Sequence, residues 1–434
     1  MTDMTITGVR GRRIWDSRGR PTVEVDIVTA DGSRGRAIAP AGASTGSGEA
    51  VDLRDGGPAF DGFDVTRAVA SVNGEIAKSL IGQDGGDQGS VDARLIALDA
   101  TANKGRLGGN ALVATSMAMM HARAASEGVP LWKSLAGGRQ VRLPLPEIQI
   151  FGGGAHAARR VDVQDFMIMC PAAGSFAEAL DWTAEVYRAA GAILKRKGKL
   201  QGVADEGGYW PAFASNEEAL DTLVQAIEDA GLKAGDQVGI SLDIAATEFF
   251  RDGRYVLALD DRKLDTGEMM EMLGRWLASY PILSIEDPLA EDDDEGFREF
   301  TRRHGRRCQI IGDDFLVTNA ARVARAAEAS SVNAVLIKPN QAGTMSETHA
   351  ALVVGKAAGF GTIVSARSGE SEDTTVAHLA IGWDAGQLKV GSFSRSERMA
   401  KWNECLRIEE QLGRDARFAG WSALPLERDG PLYG

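Results

Sequence analysis

Cysteine is scarce in this chain of 434 residues: Cys170, Cys308 and Cys405 are the only three, far apart and without a CxxC pairing. A disulfide framework or a zinc site therefore finds no support, and a reducing compartment fits. Positive charge is also short, with 48 Lys and Arg against 61 Asp and Glu and a net charge of −13. Non-specific binding to nucleic acid or to an anionic membrane needs a positive field, so neither is expected as a partner. A small anionic substrate stays open, because a local site can be positive inside a negative protein. No apolar run approaches the roughly 20 residues that span a bilayer, and Met1-Thr2-Asp3-Met4 opens no signal peptide. The expected location is the cytoplasm. What is present, 44% hydrophobic and 25% charged residues, is ordinary for a soluble globular protein. The length allows two domains with sizeable cores.

Thr22-Val23-Glu24-Val25-Asp26-Ile27-Val28 alternates β-branched and polar residues, as a half-buried strand does. Asp31-Gly32 reads as a hairpin turn and Arg34 to Pro40 as the returning strand. A small, glycine-rich stretch follows, Ala41-Gly42-Ala43-Ser44-Thr45-Gly46-Ser47-Gly48-Glu49, with the composition of a mobile loop. From Val65 to about Gly137 the pattern is helical, and Leu143-Pro144-Leu145-Pro146 punctuates the chain. The spacing predicts an N-terminal α+β domain over residues 1–140 and a second domain over 141–434. In the second, short apolar strands recur between helix-like stretches: Asp165–Met169, Val238–Asp243, Ile282–Asp287, Gln309–Asp314, Ala334–Lys338 and Gly361–Ser365. Alternating β and α over nearly 300 residues predicts an α/β barrel. The alternative, a doubly wound sheet, lacks its G-x-G-x-x-G fingerprint at a first strand.

Four of those strands end in a charged residue: Asp243, Glu286, Asp313 and Lys338. Strand ends of a barrel converge on one face, so three carboxylates would meet as a hard oxygen cage suited to Mg²⁺. A lysine on the next strand would sit beside that cation, with the depressed pKa a general base requires. The bland alternative is a structural ring of salt bridges.

With these residues in place, the whole chain resembles the enolase family. The matching blocks are Asp16-Ser17-Arg18-Gly19, Gly42-Ala43-Ser44-Thr45-Gly46, Asp205-Glu206-Gly207-Gly208, Ser284-Ile285-Glu286-Asp287-Pro288, Gly312-Asp313-Asp314, Arg367-Ser368-Gly369-Glu370, Arg395-Ser396-Glu397-Arg398 and Arg407-Ile408-Glu409-Glu410. The resemblance implies an enolase-type (β/α)8-like barrel, with one antiparallel strand near its start and an N-terminal α+β capping domain. It implies a carbon–oxygen hydro-lyase with two Mg²⁺ per site, the second dependent on substrate. Asp243, Glu286 and Asp313 resemble the ligands of the first ion, and Ser44 on the loop resembles a ligand of the second. Lys338 resembles the base and Glu206 the acid for the leaving hydroxyl. Lys389 resembles a binder of the substrate carboxylate, Arg367 with Ser368 of the phosphoryl group, and His156 and Asp165 further substrate-binding residues. A homodimer or larger homo-oligomer is also implied.

Several positions depart from the family. Its Ser-His-Arg reads Ser365-Ala366-Arg367, its Gln-Glu reads Gln164-Asp165, and its Asn-Gly-Gly-Ser-His reads Gly152-Gly153-Gly154-Ala155-His156. Pro40-Ala41 stands where the family has Pro-Ser, and Pro339 where it has Val. Losing a histidine at Ala366 would empty space at the phosphoryl end. That favours a specialised paralogue acting on a phosphonylated carboxylic acid, of the carboxyphosphonoenolpyruvate synthase kind, over an ordinary 2-phosphoglycerate enolase. A non-catalytic binding or scaffold protein is the reading from another class. The retained metal ligands, base and acid argue against it.

Overall fold

The computed structural model describes residues 2–157, 161–259 and 261–427, apart from the side chains of His156 and Ala157. The chain opens with three strands, β1 (Ile6–Trp15), β2 (Pro21–Thr29) and β3 (Arg34–Ile38), in one antiparallel sheet of that order. Val23, Val25 and Ile27 of β2 point inward and are fully buried, as the alternation predicts. They pack on the helix Gly109–Glu127, the alanine- and methionine-rich stretch, which is buried on almost every side. The contact is close: a Cβ on Gly35 of β3 would lie 1.9 Å from the Ala118 carbonyl oxygen, so only glycine lets strand and helix approach this way. The helical region holds several short helices, among them Thr66–Ser71, Gln88–Asp99 and Leu131–Ala136.

Eight further strands close into a barrel. In circular order they are β4 (Leu145–Gly152), β5 (Asp165–Met169), β6 (Gly239–Asp243), β10 (Ile282–Glu286), β11 (Gln309–Gly312), β12 (Ala334–Ile337), β13 (Gly361–Ser365) and β14 (Gly386–Ser392). Between β6 and β10 the chain makes a small separate sheet of β7 (Phe250–Arg251), β8 (Arg254–Leu257) and β9 (Arg262–Leu264). β5 runs antiparallel to both its neighbours, β4 and β6, and every other barrel pair is parallel. The architecture is thus the α/β, enolase-type barrel with one reversed strand and an α+β cap. Barrel strands are buried on both faces, which is why they read as short continuous apolar runs.

Two barrel strands escape the sequence pattern. β4 contains Pro146 within the stretch read as punctuation. β14 carries Gln387 and Lys389 on the side facing the barrel interior, where Gln387 donates to Gln309 at 2.7 Å. Inward polar side chains remove the apolar signature on which a buried strand is recognised.

Candidate active site

The parallel strands bring their C-terminal ends to one face. Asp243 is the last residue of β6 and Glu286 the last of β10, and the two are paired in register. Asp313 follows β11 directly and Lys338 follows β12. Lys338 also caps the short helix Pro339–Ala342, whose first position holds Pro339; a proline there costs no hydrogen bond. Lys389 lies within β14, and Arg367 and Ser368 follow β13.

The lysines tie the carboxylates together. Lys389 Nζ is 2.9 Å from Asp243 Oδ2, 2.8 Å from Glu286 Oε2 and 3.9 Å from Asp165 Oδ2. Lys338 forms an ion pair with Asp313, whose other oxygen accepts from Gln341 Nε2 at 2.8 Å. Gln164 Nε2 donates to Asp243 at 3.1 Å, and Gln149 donates to Asp165. The closest carboxylate group among the described residues is a different trio, Asp287, Asp313 and Asp314, with oxygens within 4.8 Å of one another. Asp287 accepts the backbone N–H groups of Asp313 at 2.9 Å and Asp314 at 2.7 Å. Its part is to fold the turn that presents Asp313.

Burial dominates the electrostatics. It pushes Glu286 well above the usual carboxylate range, with the charge of Asp243 adding to the rise. Asp287 and Asp314 are raised in the same way, by burial and then by Asp313. Burial also works against ionised Asp313, but the adjacent Lys338 and Arg367 outweigh it and hold Asp313 low. For Lys389, burial favours the neutral amine, yet Asp243 and Glu286 keep it well above the ordinary lysine value. Lys338 balances burial against its ion-pair partner. Burial lowers it, but the Asp313 carboxylate beside it carries the balance upward. The depressed value expected of a base belongs to a site with Mg²⁺ bound, where the cation offsets Asp313.

The residues fit a hard divalent cation. Eight buried carboxylates, Glu49, Asp165, Glu206, Asp243, Glu286, Asp287, Asp313 and Asp314, gather around three buried cations, Lys338, Arg367 and Lys389. Glu286 Oε1 is buried without a hydrogen-bond partner, a costly arrangement unless something positive satisfies it. The donor set is all oxygen, which suits Mg²⁺.

The loop Asp205-Glu206-Gly207-Gly208 is pinned to β4. Tyr209 donates to the Ile150 carbonyl at 2.8 Å, and Gly208 donates to Gln149 Oε1 at 2.8 Å. Gly207 has φ +94°, a conformation open to glycine, and this turn directs Glu206 inward. The glycine-rich loop of the capping domain closes over the same space. Arg367 donates to the Ser44 carbonyl at 2.9 Å, to Asn340 Oδ1 at 2.9 Å, and to both oxygens of Glu49 at 2.9 and 3.2 Å. A Cβ on Gly42 would lie 2.0 Å from the Arg367 guanidinium, so the loop's lack of side chains permits this approach.

Together these groups line a narrow cavity of about 20 Å³. Ser44, Asp165, Glu206, Asp243, Lys338, Arg367, Ser368 and Lys389 share its walls, with Gln164 and Ala366. Glu286 and Asp313 stand behind the walls, bonded to Lys389 and Lys338. The side chain of His156 lies outside the described residues. Glu49, Asn340 and Gln341 were missed from the sequence. Glu49 was a charged residue ending a loop read for its glycines, and the other two follow the lysine as ordinary polar helix residues.

Comparison with known proteins agrees with this geometry. Residues 6–135 match the enolase N-terminal domain, and residues 140–425 match the enolase C-terminal TIM barrel domain. An enolase of Acidothermus cellulolyticus is 48% identical over 420 residues, covering 97% of each chain. The chain belongs to the enolase family. It is accordingly a carbon–oxygen hydro-lyase of a magnesium-dependent family that acts on a small phosphorylated carboxylic acid. The similarity redirects one expectation. It favours an ordinary enolase and lends no support to a phosphonate-specific paralogue or to antibiotic biosynthesis. Ala366 itself is 7% exposed and lines the cavity. Among the described residues, no helix is long and apolar enough to cross a membrane.

Proposed function

We propose that this chain interconverts 2-phosphoglycerate and phosphoenolpyruvate by loss and gain of water. The observation that carries the reading is that Lys338 and Glu206 line one cavity together with Arg367, Ser368 and Lys389. Asp243, Glu286 and Asp313 would hold one Mg²⁺, and Ser44 would help hold a second after the loop closes. Bound there, Mg²⁺ supplies positive charge that neutralises the dianion formed when a proton leaves the carbon beside a carboxylate.

The chain's own groups do the rest. Lys389 binds the substrate carboxylate, and Arg367 with Ser368 binds the phosphoryl group, fixing the C2–H bond toward Lys338 Nζ. Lys338 releases its proton to solvent before the site closes, takes the C2 proton as the neutral amine, and its ion pair with Asp313 then re-forms. Glu206 arrives protonated and delivers that proton to the C3 hydroxyl, which leaves as water. Base and acid on opposite sides of the substrate give an anti elimination. Loop closure by Arg367, Glu49 and the Ser44 carbonyl excludes bulk water and strengthens each charge interaction. His156 and Asp165 complete the substrate contacts. The protein works in the cytoplasm as a homodimer or larger homo-oligomer.

The test is a substrate panel read by the absorbance of the enol product. Turnover of 2-phosphoglycerate in Mg²⁺, with none on phosphonate or phosphinate analogues, is expected. Turnover of an analogue with 2-phosphoglycerate inert would overturn the reading.

A further inference from the structure

Outside the closed loop lies a second concavity, an open cleft of about 690 Å³. Its walls carry four arginines, Arg251, Arg298, Arg322 and Arg325, in a protein whose net charge is −13. Glu291, Asp292 and Asp294 also line it, yet among the described residues none of them forms an ion pair with any of the four. Glu291 is engaged instead by the loop, accepting the Ser47 backbone N–H at 3.1 Å. Arg251 is held in place by carbonyl oxygens alone: those of Thr247 at 3.2 Å, Phe250 at 2.6 Å and Glu248 at 3.0 Å. Arg322 rests on the Phe315 carbonyl at 3.4 Å. Arg298 and Arg325 are exposed. Guanidinium groups collected in one cleft repel one another, and with carboxylates at hand the neutral arrangement would be mutual pairing. The fork of Arg251 is taken up by those carbonyls, whereas Arg298, Arg322 and Arg325 keep N–H groups turned to no carboxylate among the described residues and open to an anion.

We propose that this cleft binds a diphosphate-bearing small molecule, distinct from the substrate in the closed cavity. Guanidinium forks match phosphoryl oxygens two at a time, and Arg298, Arg322 and Arg325 together suit a chain of phosphoryl groups better than one monoanion. The cleft touches the loop at two points. Ser47 forms part of its wall, and a Cβ on Gly48 would lie 2.5 Å from Arg322 Nη2. A ligand drawing on Arg322 therefore contacts the segment that closes the active site. Its affinity and the substrate's are linked through that segment.

The experiment is calorimetric titration of the Mg²⁺-loaded full chain with inorganic pyrophosphate at constant free Mg²⁺. Wild type should bind it, more weakly as salt rises. The Arg298→Ala/Arg325→Ala double variant should lose on the order of tenfold or more in affinity, with kcat and KM unchanged in the absence of pyrophosphate. The Asp292→Asn/Asp294→Asn variant should bind more tightly than wild type, a gain that a damaged fold would not produce. Saturating 2-phosphoglycerate should leave pyrophosphate bound. Absence of binding, equal affinity in the arginine double variant, or complete displacement by 2-phosphoglycerate would each overturn the proposal.

Discussion

Glu49→Gln is a sharp probe of how the loop and barrel form one site. Glu49 gives both carboxylate oxygens to Arg367, at 2.9 and 3.2 Å, and the same carboxylate accepts the Gly46 N–H at 3.0 Å. Both side chains are nearly dry, 3% exposed for Arg367 and 6% for Glu49, so solvent screens the pair little. Breaking such a pair from one side costs about 3–5 kcal/mol. Glutamine keeps the volume and one acceptor oxygen, and Asn340 with the Ser44 carbonyl still holds Arg367, so the low end applies, about 3 kcal/mol. The pair exists with the loop closed, so the cost falls on closure, and kcat/KM for 2-phosphoglycerate should drop about 100-fold. The unfolding temperature should move little, since an open loop lets water solvate the freed arginine. Steady-state kinetics and thermal unfolding measure the two effects. A kcat/KM within about threefold of wild type would refute the idea that this pair holds the loop shut.

Four further outcomes follow from the same geometry. Glu206→Gln should stop water loss while α-proton exchange stays detectable, measured by deuterium incorporation at C2; loss of both in strict proportion would remove a separate acid step. Calorimetry should find one Mg²⁺ bound without substrate and a second only with it; two equally tight substrate-independent ions would contradict the division between Asp243, Glu286 and Asp313 on one side and Ser44 on the other. Ala366→His should change kcat/KM for 2-phosphoglycerate by no more than about tenfold, with Asp165→Glu tested beside it because neighbouring wall residues act together; a rise of several hundredfold would revive a specialised substrate. Burial of His378 lowers its pKa to about 4 from 6.5, so the unfolded chain takes up the extra proton and this part of the stability is lost as pH falls from about 6.5 toward 4, up to about 3 kcal/mol. His378→Gln should flatten that slope in urea unfolding, and an unchanged slope would reject it.

The strand ends were the most legible part of the chain. Asp243, Glu286, Asp313 and Lys338 each terminate or follow an apolar run, and the barrel puts all four ends on one face. Lys389 was reachable through resemblance alone, because β14 alternates buried polar residues and leaves no apolar trace. Glu49 and Gln341 owe their roles to contacts across 318 and 28 positions of sequence, which no local pattern encodes. The raised pKa of Lys338 was likewise invisible, since it depends on a direct contact with Asp313 rather than on residue type. The departure at Ala366 was read as a change of substrate, and Asp165 departs from the family beside it. In the folded chain Asp165 still lies within 3.9 Å of Lys389 and is held by Gln149, so the shorter side chain keeps its place in the site. Gly152 has its own steric reason: a Cβ there would lie 2.6 Å from that of Ala204.

The most direct test of the central claim is hydrogen–deuterium exchange at C2 of 2-phosphoglycerate, in Mg²⁺ and D₂O, by wild type and by Lys338→Ala. The account predicts rapid exchange with formation of phosphoenolpyruvate by wild type. It predicts neither in the variant, which should still bind Mg²⁺ measurably. Exchange by Lys338→Ala at the wild-type rate, or no exchange by wild type, would contradict it.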